Sequence, residues 1–190
     1  MYNLKNINND GYSPDILRRR YKSHRDYCGE VHDIKKLTNL PIRHPNPPED
    51  ITENIVKFII RKYDDDPTCQ WAKSIGERGD ICSEKYDINL QPEVKAFTSD
   101  GPSSFGPKKK FGVMYFLDMS KWFIQDLFVL WKVNVTHESP EWKQIKMNKF
   151  QTYEDQCAVG RRPHISWENI HSQIPDKCVK IYEGSFEGIF

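Results

Sequence analysis

The chain has 190 residues, of which 37% are hydrophobic, 29% are charged and 13% are aromatic. This length favours one domain with a substantial core, and the aromatic content is too high for a disordered polar chain. Lys and Arg number 28 against 27 Asp and Glu, so the net charge of +1 does not by itself indicate a nucleic-acid partner. The longest apolar run, residues 127–131, is far shorter than the ~20 residues of a membrane-spanning helix, which predicts a soluble protein.

Cysteine usage and the amino terminus bear on the compartment. Five cysteines are an odd number, and the sequence has no Cys-x-x-Cys pair. The first ten residues contain no apolar stretch of signal-peptide length. We therefore expect a protein of the reducing cytoplasm.

Two segments form the first third of the chain. Residues 1–49 are rich in charged and polar groups and end in a proline-rich stretch, which predicts an arm or a small helical subdomain. The pattern of residues 51–63 then predicts a helix, with Asp50 as its N-cap and Glu53 as the reciprocal acid of a capping box. We expect the main domain to comprise residues 50–190.

The strand pattern follows in the middle of the chain. Residues 80–83 and 89–97 have β-like composition and indicate a hairpin, in which a turn at residues 86–87 would place Asp80 opposite Glu93. Tyr-Asp is not a favoured hairpin turn, so the register could slip by one or two residues.

Further along the chain, residues 111–117 and 127–135 have the aromatic and β-branched composition of core strands. Residues 141–156 have helical character, with Trp142, Ile145 and Phe150 as packing residues. One more short helix is expected around Trp167, Ile170 and Ile174.

One group of residues has the composition of a catalytic site. Glu93 and Lys95 are two positions apart on a strand and therefore share a face, while Val94 points to the opposite layer. With Asp80 nearby, two carboxylates converge beside an ammonium group, and oxygen ligands of this kind suit Mg²⁺. Metal-assisted hydrolysis of a phosphodiester needs these groups. The alternative is an exposed cross-strand salt bridge, because an isolated Glu-x-Lys is common.

The order of these motifs resembles the PD-(D/E)XK nuclease superfamily, and specifically Type II restriction endonucleases. A helix with an internal acid is followed by Gly79-Asp80 and then by Glu93-Val94-Lys95. Residues 98–107 and 160–167 are also similar to segments of such enzymes. The resemblance covers about residues 50–190 and implies an α/β fold in which a central mixed β-sheet is flanked by helices. Gly79 stands where the motif has proline, a tolerated variation, since the aspartate is the metal ligand.

The resemblance also implies roles for single residues. Asp80 and Glu93 would bind Mg²⁺ together with the backbone carbonyl of Val94, and Lys95 would orient or activate the attacking water. Glu53 is a further catalytic candidate, although the capping box explains the same residue without chemistry. The implied activity is Mg²⁺-dependent, sequence-specific cleavage of double-stranded DNA by a homodimer, without an organic cofactor.

Two basic clusters are candidates for contacts with DNA. Lys108, Lys109 and Lys110 follow a loop rich in glycine and proline, and we interpret them as phosphate contacts. Arg161 and Arg162 could form bidentate contacts to guanine, hold phosphates or lie on the solvated surface.

Other functions stay open at the level of sequence. A repair or junction nuclease of the same superfamily would carry the same residues. A DNA-binding protein that does not cleave would use Asp80, Glu93 and Lys95 as a salt-bridge network. A small-molecule hydrolase is disfavoured, because the sequence contains no serine-elbow or P-loop motif.

Overall fold

A computed structural model describes residues 11–43, 45–75, 79–99 and 101–190. Six α-helices and eight β-strands lie in these ranges. The helices are α1 (Pro14–Thr38), α2 (Glu49–Tyr63), α3 (Trp122–Gln125), α4 (Pro140–Lys143), α5 (Tyr153–Ala158) and α6 (Trp167–Gln173). The strands are β1 (Gln70–Trp71), β2 (Ile81–Cys82), β3 (Glu93–Phe97), β4 (Ser103–Ser104), β5 (Met114–Asp118), β6 (Phe128–Val133), β7 (His164–Ile165) and β8 (Cys178–Gly184). None of the helices within the described ranges is long and apolar enough to cross a membrane.

The centre of the fold is a four-stranded mixed sheet in the order β3-β5-β6-β8. β3 runs parallel to β5, whereas β5–β6 and β6–β8 are antiparallel. β3 therefore lies at one edge of this sheet. Two smaller pairs, β1–β2 and β4–β7, accompany it. The mixed sheet that was predicted from the sequence is confirmed.

The alternation of side chains along β5 divides the core into two layers. Tyr115 and Leu117 pack in one buried cluster with residues of α1 and α2, and Met114 and Phe116 pack in the other with residues of α4 and α6. All four side chains are fully buried. Because successive strand residues point to opposite faces, a strand with apolar side chains on both faces must be covered by helices on both sides. The expected arrangement of helices around the sheet is thus confirmed.

The first fifty residues are largely helical within the described ranges. α1 has Ser13 as its N-cap, with the Ser13 side chain accepting a hydrogen bond from the Ile16 amide, and it ends at Asn39 in the left-handed conformation. Leu17, Tyr21 and Cys28 on α1 are buried in the same cluster as α2. The boundary between residues 49 and 50 stays a prediction, and residues 1–10 of the predicted arm lie outside the described residues.

The capping box predicted for α2 is wrong. The helix begins at Glu49, its N-cap is Pro48, and the N-cap makes no side-chain hydrogen bond. Asp50 is instead inside the first turn, where its carboxylate accepts hydrogen bonds from Arg20 and from the Tyr12 hydroxyl. Glu53 is thereby free of the capping role that the sequence assigned to it.

The hairpin predicted for residues 80–97 is also wrong. β2 pairs with β1, with Trp71 opposite Ile81, and β3 pairs in parallel with β5. The amides around residues 83–91 are bound within a compact turn region, where the Gln91 side chain accepts a hydrogen bond from the Ser83 amide at 2.7 Å. This local network stabilises a loop between the two segments instead of a two-residue turn.

The helices at the carboxyl-terminal end differ in detail from the expectation. The predicted helical stretch 141–156 is two short helices, α4 and α5, joined by a turn that contains the bridge between Lys146 and Thr152. Trp142 and Ile145 pack in the core as predicted, whereas Phe150 is 90% exposed. The short helix around Ile170 is confirmed as α6. β8, which forms the second edge of the sheet, has no counterpart in the sequence-based prediction.

Candidate active site

Asp80 reaches the edge strand β3 from the β1–β2 pair. Its backbone oxygen accepts a hydrogen bond from Ala72 N at 3.3 Å, which fixes the residue beside β1. Its side-chain Oδ2 accepts a hydrogen bond from Val94 N at 2.9 Å. Gly79 precedes it with a φ of +120°, a conformation that glycine adopts readily and proline cannot. The glycine at the motif's proline position therefore gives a turn that a proline would not allow.

Glu93 and Lys95 project from β3 as the strand periodicity predicts. Lys95 Nζ lies 2.6 Å from Glu93 Oε1, and Val94 between them packs in the buried cluster on the other face of the sheet. Glu93 is 4% exposed although it is charged. The ammonium of Lys95 also lies 5.7 Å from the centre of the Phe105 ring, which is close enough for a cation–π contact. The structure thus brings Asp80, Glu93 and Lys95 together, as expected, although by a different strand pairing.

A second lysine contacts the same carboxylate. Lys109 Nζ lies 2.5 Å from Glu93 Oε2, so each carboxylate oxygen faces one ammonium group. The sequence placed Lys109 among three lysines for DNA phosphates. The sequence of the three consecutive lysines does not distinguish Lys109 from its neighbours. The turn at Pro107 and Lys108 directs the Lys109 side chain towards Glu93.

Glu53 lies in the same region, on α2. It is 5% exposed, and its Oε2 accepts a hydrogen bond from the indole Nε1 of Trp71 at 2.5 Å. Lys73 Nζ is 3.2 Å from its Oε1. Burial raises the pKa of Glu53 to about 7, and the negative charge of Asp80 adds to this effect against the opposing contacts of Trp71 and Lys73. The charge of Asp80 therefore acts on Glu53, although no hydrogen bond joins the two described side chains.

The two carboxylates of the motif have opposite electrostatic environments. Burial, followed by repulsion from Glu93, raises the pKa of Asp80 to about 6. Burial would also raise the pKa of Glu93, but the ammonium groups of Lys95 and Lys109 outweigh it and hold that pKa below its ordinary value. Both carboxylates are therefore mostly ionised at neutral pH, and Asp80, whose charged form is the less stabilised of the two, gains most from an additional cation.

These groups fit a hard divalent cation. Glu93 Oε2 is buried and has no hydrogen-bond partner of ordinary geometry, although Lys109 is near. Within the described ranges, no group of three His, Cys, Asp or Glu side chains is arranged to hold a metal ion. Two carboxylates are nevertheless sufficient for Mg²⁺, because it usually retains several waters and takes the rest of its ligands from substrate phosphates. The donor set consists of oxygen atoms, which this ion prefers.

Comparison with known proteins gives the family. The model of the Bsp6I restriction endonuclease family matches residues 17–174, which include every candidate site residue described above. The chain belongs to this family. It is also similar to the Type II restriction enzyme Bsp6I of Bacillus sp. (strain RFL6), with 32% identity over 91 residues, which are 48% of this chain and 50% of that enzyme. The chain thus spans about half the length of the curated relative it matches. No solved structure matches the chain significantly.

In this member of the Bsp6I family an open cleft lies beside Lys95. Its volume is about 330 Å³, and hydroxyl groups line much of it. Among the lining residues are Thr52, Thr98, Ser103 and Ser104. The hydroxyl of Ser104 is buried without a hydrogen-bond partner. Hydroxyl donors next to an ammonium group are able to hold phosphate oxygens, so the cleft can receive a nucleic-acid backbone.

None of the predicted DNA-binding residues is among the described residues that line this cleft. Lys108 and Lys110 are exposed on either side of Lys109, and Arg161 and Arg162 are exposed between α5 and β7. β7 pairs with β4, whose residues line the cleft, and Phe105 N donates to Pro163 O at 3.0 Å. The β4–β7 pair therefore connects the segment that contains Arg161 and Arg162 to the loop that follows β3. This pairing was not predicted from the sequence, because β4 and β7 are only two residues long and give no recognisable strand pattern.

Proposed function

We propose that this protein is a Mg²⁺-dependent, sequence-specific endonuclease that hydrolyses phosphodiester bonds in double-stranded DNA, as a Type II restriction enzyme. Membership of the Bsp6I restriction endonuclease family supports the reaction class. The observation that carries the proposal is the hydrogen bond from Val94 N to Asp80 Oδ2, which holds one acid against the strand that bears Glu93 and Lys95. This is the juxtaposition on which a PD-(D/E)XK centre depends.

The catalytic roles follow from the position of each group. Asp80 and Glu93, with the carbonyl of Val94, are the residues that would hold the cation. A bound Mg²⁺ would polarise the phosphoryl oxygen and, as a Lewis acid, make a bound water easier to deprotonate. Lys95 is held next to Glu93, where its ammonium can orient the attacking water or stabilise the negative charge that develops on the phosphoryl oxygens in the transition state.

Glu53 is proposed as a third acid of the centre. Its buried carboxylate is oriented by Trp71 and Lys73 and interacts electrostatically with Asp80. A carboxyl group with a pKa near neutrality is suited to accept a proton from water or to assist the cation site. The absence of a capping role in α2 removes the competing explanation for this residue.

Contacts with DNA are proposed for the exposed basic groups on either side of Lys109 and between α5 and β7. Lys108 and Lys110 would hold phosphates near the cut, because ammonium groups act as point charges without a fixed hydrogen-bonding plane. Arg161 and Arg162 are placed to contact either bases or phosphates, and the guanidinium plane allows bidentate contacts to guanine.

The oligomeric state and compartment belong to the same proposal. A homodimer would present two such centres to the two strands of a palindromic site, because two-fold symmetry in the protein matches two-fold symmetry in the target. Light scattering after size-exclusion chromatography, with and without DNA, measures the oligomeric state.

An enzyme of this class would act on DNA in the cytoplasm, in line with its cysteine usage.

The decisive experiment is incubation of the purified protein with plasmid DNA and Mg²⁺, followed by sequencing of the ends. Discrete fragments with one shared end sequence, lost with EDTA and in Asp80→Asn, support the proposal. Cutting only at branched or damaged DNA would instead support a repair or junction nuclease. Tight binding without cutting at any Mg²⁺ concentration would support a DNA-binding protein in which Glu93 and its two lysines form a structural network.

A further inference from the structure

Lys109 contacts the candidate metal site in a way that the proposed reaction does not use. Its Nζ lies 2.5 Å from Glu93 Oε2, the oxygen that is buried without a hydrogen bond of ordinary geometry. The other oxygen, Oε1, is already paired with Lys95. Glu93 thus contacts two ammonium groups, which together balance the negative charges of Glu93 and the neighbouring Asp80.

The two lysines are anchored differently. Lys95 belongs to β3, and its side chain is 22% exposed. Lys109 follows a turn in which its amide donates to Gly106 O, and its side chain is 37% exposed. Lys109 also lines a second cavity of about 320 Å³, together with Glu138, Glu154 and Lys143, which pairs with both of these acids. Its ammonium can therefore leave Glu93 for this open cavity without the repacking of a buried side chain.

The ammonium and a divalent cation compete for one place. A cation bound to Glu93 Oε2 at the ~2.0–2.1 Å typical of Mg²⁺ would lie within a few ångströms of Lys109 Nζ, and two positive charges at that separation repel strongly in a site of low dielectric constant. Resting on the proposed metal site, we infer that Lys109 occupies the place of the cation in the metal-free protein and moves away when the cation binds. The released ammonium then lies at the rim of the centre, where it can contact the phosphate backbone.

Lanthanide binding to the protein without DNA tests this inference. Tb³⁺ is a hard cation that prefers oxygen ligands, and Trp71, which contacts Glu53, can sensitise its luminescence. Lys109→Met removes the competing ammonium and keeps most of the apolar stem. Lys110→Met is the matched control, because it removes the same charge from the adjacent, exposed residue.

We expect Lys109→Met to bind Tb³⁺ about fivefold more tightly than the wild type, which corresponds to ~1 kcal/mol, the upper range for a partly exposed ion pair. Lys110→Met should change the affinity by less than about twofold, because solvent and salt screen a charge outside the site. Equal affinities of the two variants would overturn the inference. Mg²⁺ should displace the bound Tb³⁺ in each protein.

Asp80→Asn separates this inference from the proposed function. If Tb³⁺ binding does not depend on Asp80, the proposed metal site is wrong, and the inference about Lys109 is wrong as well. If binding depends on Asp80 but Lys109→Met gains no affinity over Lys110→Met, the metal site stands and only the role of Lys109 is wrong.

A measurement on the wild type covers the case in which Lys109→Met does not fold. Lysine acylation by an N-hydroxysuccinimide ester, quantified for each residue by mass spectrometry, reports how accessible each ammonium group is. At Tb³⁺ saturation, labelling of Lys109 should rise relative to Lys110, since release from Glu93 exposes the amine. An unchanged ratio at saturation would contradict the inference.

Discussion

Val94 N donates a hydrogen bond to Asp80 Oδ2 at 2.9 Å, although Val94 lies in β3 of the four-stranded sheet and Asp80 directly precedes β2 of a separate two-stranded sheet. The bond uses one oxygen of Asp80 and leaves the second available to a cation. It also means that Asp80 is positioned by the backbone of the strand that carries Glu93 and Lys95, so the spacing of the three groups is set by main-chain geometry. A substitution of Asp80 that keeps an oxygen acceptor for Val94 N tests the role of the charge alone. A substitution that removes this acceptor also affects the stability of the fold.

Lys95→Ala should remove cleavage and leave DNA binding largely intact. In the proposed mechanism the ammonium acts in the transition state, and loss of one such charge-stabilising donor lowers the rate by about 100-fold or more. Lys180→Ala is the control: it removes an exposed lysine from β8, at the other edge of the sheet, and should cleave normally. Single-turnover cleavage and gel-shift affinity measured on both variants test this. Near wild-type cleavage by Lys95→Ala would place Lys95 outside the active centre.

Local signals in the sequence were sufficient to predict the core strands β5 and β6 and the shared face of Glu93 and Lys95 on β3. β5 and β6 combine aromatic and β-branched residues between polar breaks, and the Glu-x-Lys spacing fixes a shared face on β3 without knowledge of any partner strand. The approach of Asp80 to this strand was also expected. Its route was wrong, because β3 pairs in parallel with β5 across residues 98–113, and parallel pairing depends on a long connection that no turn motif encodes.

The remaining differences have the same origin in non-local contacts. Asp50 and Glu53 have the spacing of a capping box, but tertiary contacts with Arg20 and Trp71 use both carboxylates elsewhere. Lys109 has the same local sequence as its neighbours, so only the turn before it decides that it points to Glu93. Sequence reasoning assigns residue types to a site well, and it fails where the partner of a charged side chain comes from a distant segment.

Glu53→Gln should reduce the pH dependence of stability in the metal-free protein. The folded state holds the Glu53 proton up to a pKa of about 7, compared with an ordinary value of 4.5. Between these values the folded state binds more protons than the unfolded state, so the free energy of unfolding falls as the pH rises, by on the order of 3 kcal/mol from this group.

Urea denaturation in EDTA from pH 4.5 to 7.5, followed by tryptophan fluorescence, measures this effect. Glu53→Gln should lose less stability across the range than the wild type. A residual fall is expected from Asp80, whose pKa is also raised, to about 6. Identical slopes for the two proteins would show that Glu53 is ionised in the folded state and is not held in a destabilising environment.

Arg161→Ala and Arg162→Ala should affect recognition more than folding, because both side chains are exposed. A base contact is worth about 1–3 kcal/mol and its loss relaxes preference at one position, whereas loss of a phosphate contact weakens all sequences alike and lowers the salt slope by about one. Affinities for cognate and scrambled duplexes at two salt concentrations distinguish the two roles. No change in affinity, specificity or salt slope would exclude both of them.

Asp80→Asn and Asp80→Ala form a matched pair that tests the metal site. Both remove the negative charge that repels Glu93, and both should abolish cleavage and the rise in melting temperature that Mg²⁺ causes in the wild type, with DNA present if the affinity requires it. Asn retains an oxygen that can accept the hydrogen bond from Val94 N, so the metal-free Asn variant should be as stable as the wild type or more stable. Ala leaves this amide without its acceptor, at a cost of about 1–3 kcal/mol. Melting temperatures in EDTA and in Mg²⁺ for the three proteins give the answer. A strongly destabilised Asp80→Asn protein would show that the charge itself holds the fold together, which is the behaviour of a structural salt-bridge network and not of an empty cation site.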